Sequence, residues 1–169
     1  QLNDGVIFSQ AVKMAYDAGY TEPDPRQDLS GMDVARKTTI LAREIGLNLN
    51  LENLEIENLV PEELRDCSVA DFFSELPKFD EQIMQVIADK KQNLAGVHYV
   101  GTIDNGVATV GIQAYDSSSP FANVKGTDNI VMINTARYTQ PMVIQGAGAG
   151  VAVTAAGVFA DLITIINEK

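Results

Sequence analysis

Positively charged residues are scarce in this sequence of 169 residues. Lys and Arg together number 12 against 23 Asp and Glu, which gives a formal net charge of −11 at pH 7 and a pI near 4.4. A nucleic-acid-binding protein usually carries a basic patch or stripe, whereas the basic residues here are scattered apart from the pair Lys90-Lys91. Binding to nucleic acid or to an anionic membrane is therefore not expected. The acidity itself favours solubility, because like-charged surfaces repel each other.

Cysteine and histidine occur once each. Cys67 has no second cysteine with which to pair, so no internal disulfide can form, which suits a reducing compartment such as the cytoplasm. We expect no catalytic role for this thiol. His98 lies between Val97 and Tyr99 in a strand-like run, which favours a packed histidine over a ligand. One Cys and one His are too few for a usual zinc site, so no metal is predicted.

Long uninterrupted apolar stretches are also lacking. Gly, Thr or Gln interrupts each of them well before the ~20 residues that a membrane-spanning helix needs. The chain begins with Gln1, and no basic segment followed by an apolar one marks a signal peptide. With 46% apolar and 21% charged residues, the composition is that of one globular domain covering residues 1–169. The start at Gln1 suggests a piece of a longer protein.

Helical periodicity dominates the first half of the chain and strand-like alternation the second. The helix signals cover about Ser9–Ala18, Ser30–Ile45, Ser68–Leu76, Asp80–Gln92 and Val151–Asn167. The strand signals cover Leu54–Leu59, Val97–Ile103, Val107–Gln113, Ile130–Asn134 and Met142–Gln145, with a hairpin signal at Asp104-Asn105-Gly106. Because helices come first and antiparallel strands cluster later, the sequence predicts an α+β fold with a mixed, largely antiparallel sheet covered by helices.

The first two helices have recognisable start signals. Ser9 is predicted to cap the first helix, with Phe8 as the outer residue of a hydrophobic staple. Ser30 and Asp33 have the spacing of a capping box at the start of the second helix. Val34, Leu41 and Ile45 form one apolar stripe of that helix.

A polar segment, residues 19–31, separates these two helices. Pro23 and Pro25 restrict its backbone, so it is predicted to be a stiff loop that contains no helix. The loop contributes two acids, Glu22 and Asp28, that precede the second helix.

A possible site combines these acids with two residues of the second helix. Asp33 and Lys37 are four residues apart, so their side chains are neighbours, and an ordinary surface ion pair explains the spacing alone. Alternatively, the carboxylates of Glu22, Asp28 and Asp33 converge on this ammonium, bind a small zwitterion and allow a proton to move. A lysine works as a base near neutrality only if its pKa falls below the usual ~10.4. Burial lowers the pKa of a lysine, whereas nearby carboxylates raise it.

A glycine-rich turn, Gln145–Gly150, lies between the last predicted strand and the last helix. It is similar to the dinucleotide-binding pattern G-x-G-x-x-G, but Val151 stands where the third glycine should be, and the chain ends at Lys169 before a second strand can form. The glycines either allow close packing of helix and strand or let backbone N–H groups approach an anionic or cofactor group.

The segment Gly19–Lys37 closely resembles the signature of homoserine dehydrogenases; it reads GYTEPDPRQDLSGMDVARK. Further stretches that resemble the family are Gly146–Gly150 with Val153–Asp161, Pro120-Phe121, Lys125-Gly126, Asp128-Asn129 and Arg137-Tyr138. The resemblance spans nearly the whole chain. One departure is Gln27, which stands where the family usually has Asp.

The resemblance implies both an activity and a set of roles. The family reduces aspartate semialdehyde to homoserine with NADPH or NADH, on the route to threonine and methionine. Lys37 then corresponds to the residue that exchanges a proton with the substrate hydroxyl. Glu22 and Asp33 correspond to carboxylates that bind homoserine, and Asp28 to an acid that supports their site.

Binding of NADP or NAD is implied as well. Gly19, Glu22 and Gly150 correspond to positions beside the cofactor. The family's nucleotide-binding domain, a second substrate lysine and a loop for a monovalent cation would all lie upstream of Gln1. Since no regulatory domain follows the last helix, the parent is expected to be a bifunctional aspartokinase–homoserine dehydrogenase or a short single-function enzyme, with a weak preference for the first.

Two functions therefore fit this chain. It is the substrate-binding catalytic part of an NAD(P)-dependent homoserine dehydrogenase, and inactive alone, or it is a dimerisation module with no catalytic activity of its own. A homodimer is expected in both cases. The hairpin Val97–Gln113 and the strand Ile130–Asn134 are predicted to pair across its two-fold axis.

Overall fold

The computed structural model describes residues 2, 5–124, 126, 128–148 and 150–167. Within them the helices are α1 (Phe8–Asp17), α2 (Arg26–Leu29), α3 (Met32–Glu44), α4 (Val69–Glu75), α5 (Asp80–Lys91) and α6 (Val151–Asn167). The strands are β1 (Glu55–Ile56), β2 (Gly96–Asp104), β3 (Val107–Tyr115), β4 (Asp128–Thr135) and β5 (Tyr138–Ala147). The predicted α+β class is confirmed. The chain divides into two compact units, one up to Asp116 and one from Ser117 onward. Its assignment to a single domain stays a prediction.

The first unit contains a mixed three-stranded sheet in the order β1-β3-β2. β2 and β3 are antiparallel, with Gly96 opposite Tyr115 and Asp104 opposite Val107, and β1 runs parallel to β3. The turn between β2 and β3 has positive φ at both central residues, 48° at Asn105 and 82° at Gly106, as a two-residue hairpin turn requires. The hairpin signal in the sequence is thus confirmed.

Helices of the first unit pack on one face of this sheet. One apolar cluster joins α1, α4 and α5 to β2 and includes Phe8, Val12, Phe72, Leu76, Ile87 and Val97. A second, smaller cluster joins α3 to β3 through Ala35, Leu54, Ala108 and Val110. The sheet and the helices therefore form two layers, and α3 lies directly on the hairpin.

α3 buries small residues rather than the predicted stripe. Its buried positions are Ala35, Thr38, Thr39 and Ala42. The apolar stripe is not the buried face, since Leu41 and Ile45 are exposed and Val34 is only partly buried. The reason is a close approach to the sheet: a Cβ atom built on Gly101 of β2 would collide with the side chain of Thr38. Only small side chains fit between this helix and the sheet.

Both predicted helix starts need correction. α1 begins at Phe8, and the backbone N–H and hydroxyl of Ser9 donate to the carboxylate of Asp80 at the start of α5, at 2.7 and 2.5 Å. The residue that precedes α3 is Gly31, with φ of 75° and no side-chain cap. Ser30 ends α2 and accepts a long 3.4 Å hydrogen bond from the N–H of Met32, so the capping box with Asp33 does not form.

The second unit consists of a hairpin and a helix. β4 and β5 pair antiparallel, from Asp128 opposite Ala147 to Thr135 opposite Tyr138, and form a separate two-stranded sheet. α6 contains no buried residue, and apolar side chains such as Phe159 and Ile166 are 65% and 64% exposed. No helix in the described part of the chain has both the length and the apolar character needed to cross a membrane.

Candidate functional site

The polar segment of residues 19–31, called the acidic loop below, begins where α1 ends. Gly19, with φ of 71°, follows the helix in the left-handed conformation, and the N–H of Tyr20 donates to the carbonyl of Ala15 at 3.0 Å, which closes the helix end. No atom outside its neighbours lies within 4 Å of a Cβ built on Gly19, so the space beside this residue is open. Glycine is therefore required here by the backbone conformation rather than by crowding.

Two of the predicted site acids are joined through the loop backbone. The N–H of Glu22 donates to Oδ2 of Asp28 at 2.9 Å, across six residues. Asp28 lies in α2, a helix that the sequence did not predict because Pro25 was taken to exclude one. Proline is compatible with the start of a helix, since its missing N–H is not needed there. The side chain of Glu22 is exposed.

Asp33 and Lys37 form the other pair. Lys37 Nζ lies 2.7 Å from Oδ2 of Asp33 in the first turns of α3, and the two side chains are 63% and 64% exposed. The structure thus joins Glu22 to Asp28 and Asp33 to Lys37. Within the described residues, no ion pair links Glu22 or Asp28 to the lysine.

The start of α3 is fixed by a tyrosine from the sheet. A Cβ atom built on Gly31 would collide with the hydroxyl of Tyr99 and lie 3.1 Å from Cγ2 of Ile56, so only glycine fits. Tyr99 donates this hydroxyl to the carbonyl of Glu57 at 2.6 Å. Burial, with a smaller contribution from the charge of Glu57, raises the pKa of Tyr99 to about 12. The phenol therefore stays protonated and holds the helix start that bears Asp33 against the sheet.

An arginine that the sequence analysis did not single out anchors the loop. Nε and Nη2 of Arg26 donate to the two carboxylate oxygens of Asp24 at 2.9 and 2.7 Å. Nη1 donates to the carbonyls of Leu64, Arg65 and Cys67 at 3.1, 3.1 and 2.6 Å. The hydrogen bond from Arg26 lowers the pKa of Asp24, against the opposing effect of burial.

The glycine-rich turn belongs to the second unit. Gly150 has φ of 132°, and its carbonyl accepts the N–H of Thr154 in the first turn of α6. A Cβ built on Gly148 would collide with the side-chain amide of Asn129, so this glycine allows close packing of the turn on β4. Nothing lies within 4 Å of a Cβ built on Gly150, which leaves its backbone open. Ala149, within the turn, and Lys125 lie outside the described residues.

The two glycines that were predicted to lie beside the cofactor belong to different units of the chain, Gly19 to the first and Gly150 to the second. Gly19 and Gly150 each have open space beside the backbone, as close approach of a planar ring would need. In the described part of the chain no strand follows α6, so no strand–turn–helix–strand unit for a dinucleotide is present.

His98 and Cys67 are partly buried side chains that contact neighbouring residues. Burial lowers the pKa of His98, whose ring lies 6.3 Å from that of Tyr115. Cys67 is partly exposed and its Sγ lies 3.3 Å from the carbonyl of Leu64, to which the thiol donates. No group of three potential metal-ligating residues occurs among the positions that the structure describes.

A polar notch of about 400 Å³ lies beside β1. Lys90 donates to both carboxylate oxygens of Glu57 at 2.7 and 2.6 Å, and Glu57 also accepts the N–H of Ile112 at 2.8 Å. None of the predicted site residues lines this notch. The ion pair joins α5 to the residue that follows β1, and both of its side chains also form hydrogen bonds with the backbone of Ile112 in β3.

Comparison with known sequences gives one consistent family. The family model described as homoserine dehydrogenase matches residues 1–163. The chain is 49% identical over 166 residues to a homoserine dehydrogenase of Paracoccidioides brasiliensis and 47% identical over 174 residues to that of Saccharomyces cerevisiae. These matches cover 95% and 99% of this chain but only 45% and 48% of those proteins.

A chloroplastic bifunctional aspartokinase/homoserine dehydrogenase of Arabidopsis thaliana is also similar. It is 47% identical over 162 residues, which are 94% of this chain and 18% of that protein. The chain therefore spans about half the length of the single-function relatives and about a fifth of the bifunctional one.

Solved structures show the same fold. A Candida auris protein of unknown function has a TM-score of 0.87 and 44% identity over 96% of this chain and 47% of its own. A hyperthermophilic archaeal homoserine dehydrogenase, solved in complex with NADPH, has a TM-score of 0.64 over 96% of this chain and 41% of its own. Its identity of 23% supports the fold alone.

Proposed function

This chain belongs to the homoserine dehydrogenase family of oxidoreductases, and from that membership we propose that it supplies the substrate-binding, proton-transferring part of an NAD(P)-dependent homoserine dehydrogenase. The reaction is L-homoserine + NAD(P)+ ⇌ L-aspartate 4-semialdehyde + NAD(P)H + H+. The observation that carries the proposal is the exposed pair of Asp33 and Lys37 at the start of a rigidly held helix. The loop that bears Glu22 and Asp28 precedes this helix directly.

We assign the proton transfer to Lys37. When bound, a nicotinamide nucleotide accepts the hydride that leaves the carbinol carbon of homoserine. The hydroxyl proton must leave the carbinol oxygen in the same reaction, and the neutral amine of Lys37 accepts it and becomes an ammonium. Asp33, at 2.7 Å from that nitrogen, orients the amine and binds the substrate together with Glu22. Asp28 holds the backbone of Glu22 and so supports the same site.

Contact with the cofactor is proposed for one acid and two glycines. Gly19, Glu22 and Gly150 lie beside the nicotinamide nucleotide in this proposal, and both glycines have open space next to the backbone. The main binding surface for NADP or NAD would come from a nucleotide-binding domain outside this chain. The isolated chain is then inactive.

The experiment is a steady-state assay of the full-length protein with L-homoserine and either NADP+ or NAD+. We expect turnover with at least one nucleotide, and a raised KM for homoserine in Glu22→Gln. No turnover with either nucleotide would refute the proposed activity. An unchanged KM in Glu22→Gln would refute the assignment of Glu22 to the substrate site.

A homodimer is a second part of the proposal, and a dimerisation module is the alternative function. The supporting observation is the exposed apolar surface of β4, β5 and α6, on which Met142, Phe159 and Ile166 are all more than half exposed. Apolar surfaces of this kind mark contacts with other protein surfaces. A parent with aspartokinase activity, a role in threonine and methionine synthesis, and a cytoplasmic location remain predictions.

A further inference from the structure

One side chain joins the exposed acidic loop to the protein core. Six residues of the loop are exposed, namely Gly19, Tyr20, Glu22, Pro23, Gln27 and Asp28, whereas Pro25 in its centre is fully buried. Next to Pro25, the side chain of Arg26 is only 15% exposed, and its guanidinium lies 5.9 Å from the ring centroid of the fully buried Phe72. The loop is thus exposed around Glu22 and Asp28 and attached to the core at Arg26, and at its end Leu29 also packs against the core while its carbonyl accepts the N–H of Leu59 at 3.0 Å.

The contacts of Arg26 divide between two segments. Its Nε and Nη2 form a two-point ion pair with Asp24, while Nη1 donates to carbonyl groups of the turn formed by residues 64–67. A guanidinium supplies such a fork of donors, and an ammonium cannot reproduce it. The side chain therefore joins the acidic loop to a turn that is about 40 residues further along the chain.

The proposed site acids are connected directly to this anchor. Asp28 lies in the same turn of α2 as Arg26, and it accepts the N–H of Glu22. Movement of α2 would therefore displace both acids. Lys37 is held separately, because α3 packs on the sheet through residues such as Ala35 and Thr38.

We propose that Arg26 is a positioning residue for the substrate: it holds Glu22 and Asp28 in place and touches neither substrate nor cofactor. This inference rests on the proposed function. Because Lys37 is held independently, loss of the anchor should weaken binding of homoserine and leave the proton transfer intact at saturating substrate. General destabilisation would instead reduce the amount of active enzyme and leave KM unchanged.

The test is Arg26→Lys in the full-length protein, with Arg43→Lys as the matched control. Arg43 also donates to a backbone carbonyl, that of Leu49 at 2.9 Å, and to Oδ1 of Asn50 at 3.0 Å, but it lies at the far end of α3. We expect Arg26→Lys to raise KM for homoserine about tenfold with kcat within about threefold of wild type, and Arg43→Lys to change neither.

Asp24→Asn is the second variant, in case Arg26→Lys fails to fold. It leaves the carbonyl contacts of Arg26 in place and should raise KM in the same direction by a smaller factor. Hydrogen exchange at the N–H of Glu22 provides a readout besides activity and should be faster in both loop variants. An unchanged KM in an active Asp24→Asn or Arg26→Lys enzyme would overturn the positioning role.

The outcomes separate the two proposals. A wild-type protein that does not oxidise homoserine refutes the proposed function, and the inference with it. An active wild type in which Arg26→Lys and Arg43→Lys raise KM equally refutes the inference alone. Faster exchange at Glu22 without any change in KM shows that the anchor exists but does not position the substrate, and it also refutes the inference.

Discussion

Substitution of Lys37 by alanine separates a catalytic lysine from a surface ion pair. The pair with Asp33 is about two-thirds exposed on both sides, so its loss should lower the free energy of unfolding by less than about 1 kcal/mol. If Lys37 takes the hydroxyl proton, its removal should lower kcat by ~10²–10⁴-fold, the usual contribution of a general base, with a smaller change in KM. The two interpretations therefore differ by orders of magnitude in kcat.

The chain offers a matched control on α1. Lys13 and Asp17 form an i,i+4 ion pair with exposures of 52% and 57%, close to those of the pair in α3. Lys13→Ala should cost a similar amount of stability and leave kcat and KM unchanged. The assay is steady-state oxidation of homoserine by the full-length variants, with urea unfolding of each. If Lys37→Ala keeps kcat within about threefold of wild type and behaves like Lys13→Ala, the reasoning is refuted and the pair is structural.

Four further results are expected. The isolated 169-residue chain should show no turnover of homoserine, and measurable turnover by it would contradict the need for a separate nucleotide-binding domain. In analytical ultracentrifugation at micromolar concentration the protein should sediment as a dimer because of the apolar surface in residues 128–167, and a monomer would contradict this. Since hydrogen bonding to Arg26 lowers the pKa of Asp24, this carboxylate stabilises the fold above its unfolded pKa near 3.8, and the contribution is lost as the pH falls through the folded value. The difference in the free energy of unfolding between wild type and Asp24→Asn should accordingly become smaller in acid. A constant difference from pH 7 to 2 would contradict this role of Asp24. Gly31→Ala should lower the free energy of unfolding by about 2 kcal/mol or more, because φ is positive at this residue and the hydroxyl of Tyr99 must move. Urea titration measures this change. An unchanged free energy of unfolding would contradict the prediction.

Elements that depend only on residues close together in the chain could be predicted from the sequence. The hairpin turn at Asn105-Gly106 needs positive φ at two adjacent residues, and these residue types supply it. The glycine that follows α3 and its C-cap, Gly46 with φ of 88°, is another example. The pair of Asp33 and Lys37 follows from helical spacing alone once the helix is recognised.

Features that depend on distant partners were not visible in the sequence. Ser9 has the chemistry of a helix cap, but its N–H and hydroxyl donate to Asp80, 71 residues away. The buried face of α3 is determined by how closely the helix approaches Gly101, and the apolar periodicity that includes Leu41 does not indicate this approach. Arg26 was passed over for the same reason, since its carbonyl partners lie about 40 residues further on.

The most direct test of the proposed dehydrogenase activity is the transfer of hydrogen from the carbinol carbon of homoserine to the nicotinamide ring. The full-length protein would be incubated with L-homoserine deuterated at the carbinol carbon and with oxidised NADP or NAD, and the reduced nucleotide would be analysed by mass spectrometry. We expect deuterium from homoserine to appear in the reduced nicotinamide ring. No reduced nucleotide with either cofactor, or reduced nucleotide without deuterium, would contradict it.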